Sequence, residues 1–432
     1  MMWKSGNILT TMPACAVLAM VLALAASCSK NLFKEEEYES LVKGANPVDS
    51  LDAAHQWNLI QSKVVVITPN VPGVDDVALV QVLNGNPYDG TNTTEVMGQY
   101  AAKAGERSAV AYSYGLSQPQ LYAAVVTAEG KYYVKAFAPD EGYVNFNYGG
   151  VISQGHFIKP KSQTYTYVYE TSFPLPDDFD FNDVVMRLSM EAPNDSLLRL
   201  KVTLAAVGTL EQMAAAVRLP GVKADQVKQV TIDEGEEFDQ GYTLQRSLLP
   251  AEGMLMSSTK GEAVIRLFED AHWSISNTTE QVGGVRRRYY NTEISSRQGV
   301  SEKVEAKTRT YTIALREGAK ATQMKLADMD PFVVHDYNGG RFEVHTHQYK
   351  LDQVVWDYTN GDTNAYNDHM AWALLIPSAD FRYPIEGTPL GTYRNGLLAG
   401  AYSVYGHSFG EWARNQYAAT DWWITPNYGY YQ

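Results

Sequence analysis

Residues 164–190 read TYTYVYETSFPLPDDFDFNDVVMRLSM, and this stretch decides the fold. Its two ends, 164–169 and 184–190, are rich in β-branched and aromatic residues, which favour strands. The connection between them carries proline and aspartate, which are typical of turns. We therefore predict two strands joined by an acidic loop.

Similar short runs recur along the whole chain, separated by Gly, Pro, Asn and Asp. They lie at 63–68, 77–82, 121–127, 131–137, 197–207, 228–232, 263–268, 287–294 and 308–315. No strand-plus-helix period repeats, so the pattern favours antiparallel β-sandwiches or jelly rolls over a parallel α/β fold. We predict an all-β protein with two such domains, 57–150 and 151–432, and minor helices at 94–104 and 408–416.

The first 27 residues have the layout of a secretory signal, with one basic residue, Lys4, and then an apolar run at 14–26. That run of 13 residues is too short for a membrane span, which needs about 20. Residues 24–28, LAASC, resemble the lipobox of bacterial lipoproteins, which implies cleavage before Cys28 and a lipid on its sulfur. We predict a signal peptide at 1–27 and a lipidated N-terminus with an acidic tether at 28–56. The alternative is an ordinary secreted protein.

Cysteine content and charge exclude several classes of function. The chain has two cysteines, and Cys15 lies inside the predicted signal, so a lipid on Cys28 leaves no thiol for a disulfide, a zinc site or a nucleophile. Cleavage removes Lys4 and no acid, which changes the net charge from −14 to −15. Nucleic-acid binding needs basic stripes. We therefore expect a membrane partner, through the lipid, and no nucleic acid.

The acidic loop is the most specific candidate site. Asp178, Asp180 and Asn182 have the D-x-D-x-N spacing that lets a curling loop aim its oxygens inward, as in the first half of an EF-hand. Asp183 follows them, and Glu170 is the nearest upstream carboxylate. Hard cations prefer such oxygen ligands. These five residues therefore form a candidate calcium site.

The loop also has a purely structural interpretation. Phe179 and Phe181 would face the core while the polar residues between them face water or cap backbone amides. The twelfth position from Asp178 is Ser189 rather than glutamate, so the loop is not an EF-hand. Clustered carboxylates repel one another, so a positive partner is expected, either a cation or Arg187.

Three further features are candidates for chemistry. Ser408 lies in a G-x-S-x-G pattern at 406–410, but no histidine follows it, so we expect no hydrolase elbow. Alternation would place Glu343, His345 and His347 on one strand face, where zinc or nickel could bind, although solvated polar triplets are commoner. The C-terminal aromatics, Trp422 and Trp423 above all, could stack on sugars if exposed, or fill a core.

The chain resembles LruC-domain (DUF4842-type) bacterial lipoproteins. The resemblance rests on residues 167–170, 178–185, 342–345, 372–377, 381–386, 401–402, 409–412 and 421–423, which follow that domain's pattern in order, with 47–49 and 52–57 like the segment that commonly precedes it. One position departs, because Thr171 stands where an aspartate is expected after Glu170. The resemblance implies a β-rich surface lipoprotein domain, and it implies no reaction.

Together these features predict a non-enzymatic lipoprotein, anchored in the outer membrane and exposed at the cell surface. We expect it to act in adhesion or envelope structure, with calcium stiffening the acidic loop and the aspartate-rich domain held outermost. Its partner would be a surface glycan or an envelope or host protein. A glycan-binding lipoprotein is the main alternative, and a hydrolase is a weaker one.

Overall fold

The computed structural model describes residues 47–52, 54–171, 178–232, 238, 247–250, 253–276, 289–293, 301–337, 339–346 and 371–431. These residues are mostly strands in antiparallel sheets with two short helices, so the predicted all-β class is confirmed. Residues Pro47–Gln432 form one compact unit. The predicted signal peptide, Cys28 and the tether up to residue 46 lie outside the described residues.

Two facing sheets make up the first sandwich. Its strands are β1 (Ile60–Thr68), β2 (Val77–Leu83), β3 (Glu95–Ala101), β4 (Ser108–Gly115), β5 (Leu121–Thr127), β6 (Tyr132–Phe137), β7 (Tyr143–Asn145) and β8 (Lys161–Ser162). One sheet has the order β4-β1-β7 and the other β6-β5-β2-β3-β8. Alternate residues of both sheets meet in a buried core that includes Val65, Val80, Tyr112, Val125 and Phe137. A hairpin loop at 128–130 joins β5 to β6, with Gly130 at φ +81°.

The helix predicted at 94–104 is wrong, because this segment forms β3. Its apolar spacing fits a helix, but its backbone pairs with β2, where Gly98 lies opposite Val82. Met97 is buried in the core between the two sheets. Pairing with a neighbouring strand therefore overrides the local pattern.

The second sandwich is larger. Its strands are β9 (Thr164–Tyr169), β10 (Val184–Asn194), β11 (Leu197–Ala206), β12 (Ala214–Lys223), β13 (Val227–Ile232), β14 (Leu255–Ser257), β15 (Glu262–Phe268), β16 (Tyr289–Tyr290), β17 (Ser301–Glu302), β18 (Lys307–Leu315), β19 (Asp330–Tyr337), β20 (Gly340–Val344), β21 (Ala373–Ile376), β22 (Thr392–Arg394), β23 (Leu397–Ala399), β24 (Ser403–Val404) and β25 (His407–Ser408). A six-stranded sheet, β13-β18-β11-β10-β9-β21, faces a five-stranded sheet, β14-β15-β12-β19-β20. The remaining strands form two-stranded ladders, β16-β17, β22-β23 and β24-β25.

Strand β9 is buried on both faces. Tyr165, Tyr167 and Tyr169 lie on the face toward the five-stranded sheet, and the Tyr169 hydroxyl donates to the Pro331 carbonyl at 2.6 Å. The alternate residues point the other way, and Val168 packs there in a second core. Glu170 follows Tyr169 in this alternation, so it lies on the same face as Val168.

A C-terminal lobe covers the second face of the six-stranded sheet. Its helix α2 (Phe409–Arg414) confirms the helix predicted near 408–416, while α1 (Ala271–Ser276) lies elsewhere in the sandwich. Short 3-10 turns occur at Ala224–Gln226, Ala321–Gln323, Leu326–Asp328 and Trp422–Ile424. Among the described residues, no helix is long and apolar enough to span a membrane.

The segment before β1 belongs to this second core. Val48, Trp57 and Leu59 are buried there with Phe409 and Trp412 of the lobe. From Pro47 onward, the chain therefore first contributes to the second core, then leaves it to form β1–β8 and returns at β9. The predicted orientation, with the aspartate-rich domain held outermost, stays a prediction. The boundary predicted at 150/151 stays a prediction.

Gly98 gives a stability test of the first sandwich. A methyl group at this position would lie 2.2 Å from the Ala111 carbonyl oxygen of β4, in the facing sheet. We expect Gly98→Ala to destabilise the protein by about 1–3 kcal/mol through this overlap, measured by urea unfolding. Gly149→Ala is the matched control, because nothing lies within 4 Å there. Equal midpoints for the two variants would contradict the predicted close contact.

Candidate metal centre

The acidic loop connects β9 to β10. Tyr169 pairs with Val184, so Glu170 and Asp183 meet at the base of the loop. The Thr171 amide and hydroxyl both donate to Asp183 Oδ2, at 2.6 Å each. The threonine that replaces an expected aspartate therefore orients the neighbouring carboxylate instead of adding a charge.

Two phenylalanines fix the path of the loop. Phe179 and Phe181 both have φ +57°, in the left-handed region that bulky residues avoid. Both side chains are buried in the second core, as the structural interpretation of the sequence predicted. Burial of two large aromatic groups compensates for the backbone strain.

Three of the five predicted calcium ligands converge. One carboxylate oxygen from each of Glu170, Asp178 and Asp180 lies within 4.8 Å of the other two. Oxygens that bind one calcium ion at about 2.4 Å are at most about 4.8 Å apart. The separation of these three groups therefore fits a single cation.

Backbone amides orient two of the three carboxylates. Asp180 accepts from the Asn182 amide through Oδ1 at 3.0 Å and from the Gly387 amide through Oδ2 at 2.9 Å. Glu170 Oε2 accepts from the Phe181 amide at 3.2 Å. These contacts tie the carboxylates to the loop conformation that the two phenylalanines set.

Burial and mutual repulsion disfavour charge on these groups. The pKa of Glu170 is raised well above its usual range by burial and by Asp183, Asp180 and Asp178. Burial, Asp178, Asp183 and Glu386 raise the pKa of Asp180 in the same way. Within the described part of the chain, neither Glu170 nor Asp180 forms an ion pair.

The second positive partner considered from the sequence, Arg187, does not fill this role. It forms no ion pair with the loop carboxylates among the residues that the structure describes. Burial raises the pKa of Tyr383, and the charge of Arg187 opposes that rise. The two buried carboxyls must therefore either keep their protons or share a cation.

Asn182 contributes a buried amide. Its Nδ2 donates to the Pro384 carbonyl at 3.3 Å, while its Oδ1 has no hydrogen-bond partner in the described structure. A methyl group at Gly208 would lie 1.6 Å from that oxygen, so only glycine leaves room for the amide. The amide oxygen is a further oxygen donor whose hydrogen-bonding capacity is unused.

Sequence reasoning missed the segment at 384–390. Besides Pro384 and Gly387, it contributes the Leu390 amide, which donates to the Phe179 carbonyl at 2.9 Å, and Glu386, which acts on the pKa of Asp180. This segment lies about two hundred residues from the loop, and its local sequence, EGTP, looks like an ordinary turn. Only the tertiary fold reveals the contact.

Of the predicted Glu343, His345, His347 triplet, the structure describes the first two residues. His347 lies outside the described residues. His345 is held between two carboxylates, with Nδ1 2.9 Å from Asp330 and Nε2 3.1 Å from Glu343. Arg218 extends this network, from Asp330 at 2.9 Å to Glu262 at 3.1 Å. Both ring nitrogens are thus engaged in ion pairs. The whole network connects four strands of the five-stranded sheet.

Ser408 caps helix α2. Its hydroxyl accepts from the Glu411 amide at 3.2 Å and donates to the Glu411 carboxylate at 2.6 Å. The side chain is fully buried. The hydroxyl of the G-x-S-x-G pattern is therefore committed to a helix N-cap.

Trp422 fills a core, which is the second of the two alternatives that the sequence left open for it. Its side chain is 0% exposed and makes edge contacts with Phe381, Tyr402 and Phe409 inside the lobe. Trp423 is partly buried against the same core. Trp422 therefore offers no surface for stacking on a sugar.

Comparison with known proteins gives one family and one crystal structure. A model of a domain of unknown function, DUF4842, matches residues 196–423. No curated protein matches the chain. A crystal structure described as that of a "Putative lipoprotein" from Bacteroides ovatus is 14% identical with a TM-score of 0.45, covering 82% of this chain and 99% of that one. The family match begins after the acidic loop.

The network around His345 predicts a dependence of stability on pH. Burial lowers the pKa of His345, but Asp330 and Glu343 outweigh it and raise the pKa to about 9. Because this value exceeds that of the unfolded chain, the stabilisation is complete below about pH 6.5 and is lost as pH rises through about 9. We expect it to amount to roughly 3 kcal/mol in urea unfolding, and His345→Gln to remove it.

Exposed His156 provides the control for this measurement. His156→Gln should keep the wild-type decrease in unfolding free energy between pH 6.5 and pH 10. If His345→Gln keeps the same decrease, the ion pairs of His345 do not carry this stabilisation.

Proposed function

Because the chain belongs to the DUF4842 family, whose function is unknown, we propose its role from its own acidic centre, as a calcium-stabilised, non-enzymatic lipoprotein of the cell envelope. The calcium ion would be held by Glu170, Asp178 and Asp180. Asn182 would supply an amide oxygen, and Asp183, positioned by Thr171, would complete the predicted set.

One observation carries the calcium proposal. Glu170 and Asp180 are buried carboxylates, 1% and 2% exposed, with no ion pair among the described residues. An unpaired buried charge costs several kcal/mol, and three neighbouring carboxylates add repulsion. A divalent cation would compensate both the cost of burying the charges and the repulsion between them. The donors are all oxygens, which calcium prefers over the nitrogen and sulfur ligands of zinc.

A bound ion would have a structural effect. It would neutralise the loop, whose hydrogen bonds from Gly387 and Leu390 and to Pro384 join it to the C-terminal lobe. The ion would thus stabilise the contact between the β9–β10 connection and the lobe. This role is stiffening rather than catalysis, in keeping with the capping role of Ser408.

The envelope location rests on the N-terminal sequence. The signal layout at 1–27 and the LAASC run ending at Cys28 support export and lipidation. We propose attachment to the outer membrane with exposure at the cell surface. There the domain would serve adhesion or envelope structure, through contact with a glycan or an envelope or host protein.

Calcium titration tests the metal site. We expect saturable heat in isothermal titration of the mature protein, together with a higher melting temperature. At a calcium concentration of one hundred times Kd, the stabilisation should be about 2.7 kcal/mol. Asp178→Asn should abolish both responses, because one of the three converging carboxylates is lost.

The exposed Asp75 is the matched control, and Asp75→Asn should bind calcium as the wild type does. Neither heat nor a shift in melting temperature at millimolar calcium would overturn the proposal.

Lipidation has its own test. Cys28→Ser should move the protein from the membrane fraction to the soluble fraction and leave the N-terminal peptide without its lipid mass. Cys15→Ser, which changes only the predicted signal, should leave both unchanged. A Cys28→Ser protein that remains in the membrane fraction would contradict lipid anchoring.

A further inference from the structure

The described part of the chain begins against the C-terminal lobe. Val48 forms a parallel bridge with Tyr393 of β22, and Asp49 accepts from the Asn395 amide at 3.1 Å, in the turn between β22 and β23. Asp49 also pairs with Arg414 of helix α2 at 3.4 Å. The polypeptide that leads back to the predicted lipid therefore starts beside the β22–β23 hairpin.

Large hydrophobic side chains are exposed on the same lobe. Five of the twelve that are exposed in the described structure lie within residues 397–428. Four of these are on the two hairpins and the C-terminal segment, and we call them the lobe surface: Leu397, Tyr405, Ile424 and Tyr428. Leu397 begins β23 and is 74% exposed, and Tyr405, at the tip of the β24–β25 hairpin, is 82% exposed. Such grouped exposure is typical of a contact surface.

Polar contacts connect the members of the lobe surface. The Tyr428 hydroxyl accepts from the Gly400 amide at 2.9 Å, directly after β23. His407 Nδ1 of β25 lies 2.7 Å from Asp421 Oδ2, next to the 3-10 turn that contains Ile424. The two hairpins and the C-terminal segment therefore carry their exposed side chains on adjoining parts of the molecular surface.

The charge of the lobe differs from that of the rest of the chain. Residues 381–431 have no net charge, although the whole chain has a net charge of −14. The charged residues of this segment are three arginines and three acids: Arg382, Arg394, Arg414, Glu386, Glu411 and Asp421. The arginines are exposed, whereas the acids are partly buried. The lobe can therefore approach anionic lipid headgroups, which the acidic remainder of the chain would repel.

The chain length between the predicted anchor and the lobe limits their separation. Cys28 and Pro47 are 19 residues apart, so a fully extended chain would span roughly 65 Å at most. A lipid on Cys28 would hold the lobe near the bilayer at a high effective concentration, so a weak affinity for lipid would be sufficient. Tyrosine rings and aliphatic side chains suit the boundary between headgroups and acyl chains.

We propose that the lobe surface docks on the bilayer that holds the lipid of Cys28, with Leu397 and Tyr405 inserted among the headgroups and the exposed arginines facing their phosphates. This inference rests on the proposed lipid anchor and is independent of the calcium site. It differs from the orientation predicted from the sequence, because the aspartate-rich domain would lie next to the membrane.

Hydrogen exchange of the protein coupled to vesicles tests the docking. Residues 28–432 contain one cysteine, so Cys28 can be joined to a maleimide lipid in vesicles of phosphatidylethanolamine and phosphatidylglycerol. We expect peptides 394–408 and 421–428 to exchange at least about threefold more slowly than in the same protein free in solution. Peptide 140–150, in the first sandwich, should exchange equally in both samples.

Matched variants assign the effect to the lobe surface. Leu397→Ser combined with Tyr405→Ser should remove the slower exchange, whereas Tyr148→Ser, which changes an exposed tyrosine of the first sandwich, should keep it. All three side chains are exposed, so both variant proteins should melt as the wild type does.

Three results would overturn the docking: equal exchange of the lobe peptides in free and coupled protein, slower exchange confined to the first sandwich, or slower exchange that persists in the Leu397→Ser, Tyr405→Ser protein. The chemical coupling holds the protein on the vesicle whether or not cells lipidate Cys28. A failure of docking is therefore distinguishable from a failure of the fractionation test for lipidation.

Discussion

The left-handed backbone of Phe179 and Phe181 is the constraint on which the acidic centre depends. Such a conformation costs about 1–3 kcal/mol per residue, and burial of a phenylalanine side chain returns an amount of similar size. The two aromatic groups enter the same core as Val168 and Trp412. They thereby set the loop path that lets amides of the loop and of the C-terminal lobe meet Asp180. The packing of the two phenylalanines therefore also determines where the carboxylates of this loop lie.

Local patterns predicted most of the strands. The β9 segment is found at the predicted residues, Thr164–Tyr169, because its β-branched and aromatic residues suit a sheet in either environment. The same reasoning failed for β3, where residues at helical spacing pair with β2 instead. The sequence also assigned 28–56 to a tether and Trp57 to the first domain, whereas Val48 and Trp57 both pack in the second core. These contacts span more than three hundred residues, and no local period reports them.

Only part of the candidate site, likewise, could be predicted from the sequence. Glu170, Asp178 and Asp180 could be predicted because their oxygens lie close along the chain and their spacing has a chemical meaning. Gly387 could not, since its amide reaches Asp180 across 207 residues. Trp422 shows the limit of composition, because an abundance of aromatic residues does not reveal which of them a lobe encloses. Environment, and not residue type, decides whether an aromatic ring binds a ligand or fills a core.

The entry of the chain at Pro47 has a mechanical consequence. The Pro47 carbonyl accepts from the Tyr393 amide, and the Asp49 amide donates to the Tyr393 carbonyl, in a single parallel bridge with β22. A protein pulled by its N-terminus would load this bridge and the lobe behind it first. The first sandwich branches off after Leu59 and returns at β9, so it lies outside the direct line of force. Resistance to shear flow would then depend on the lobe and on the loop it contacts, while the first sandwich stays unstrained.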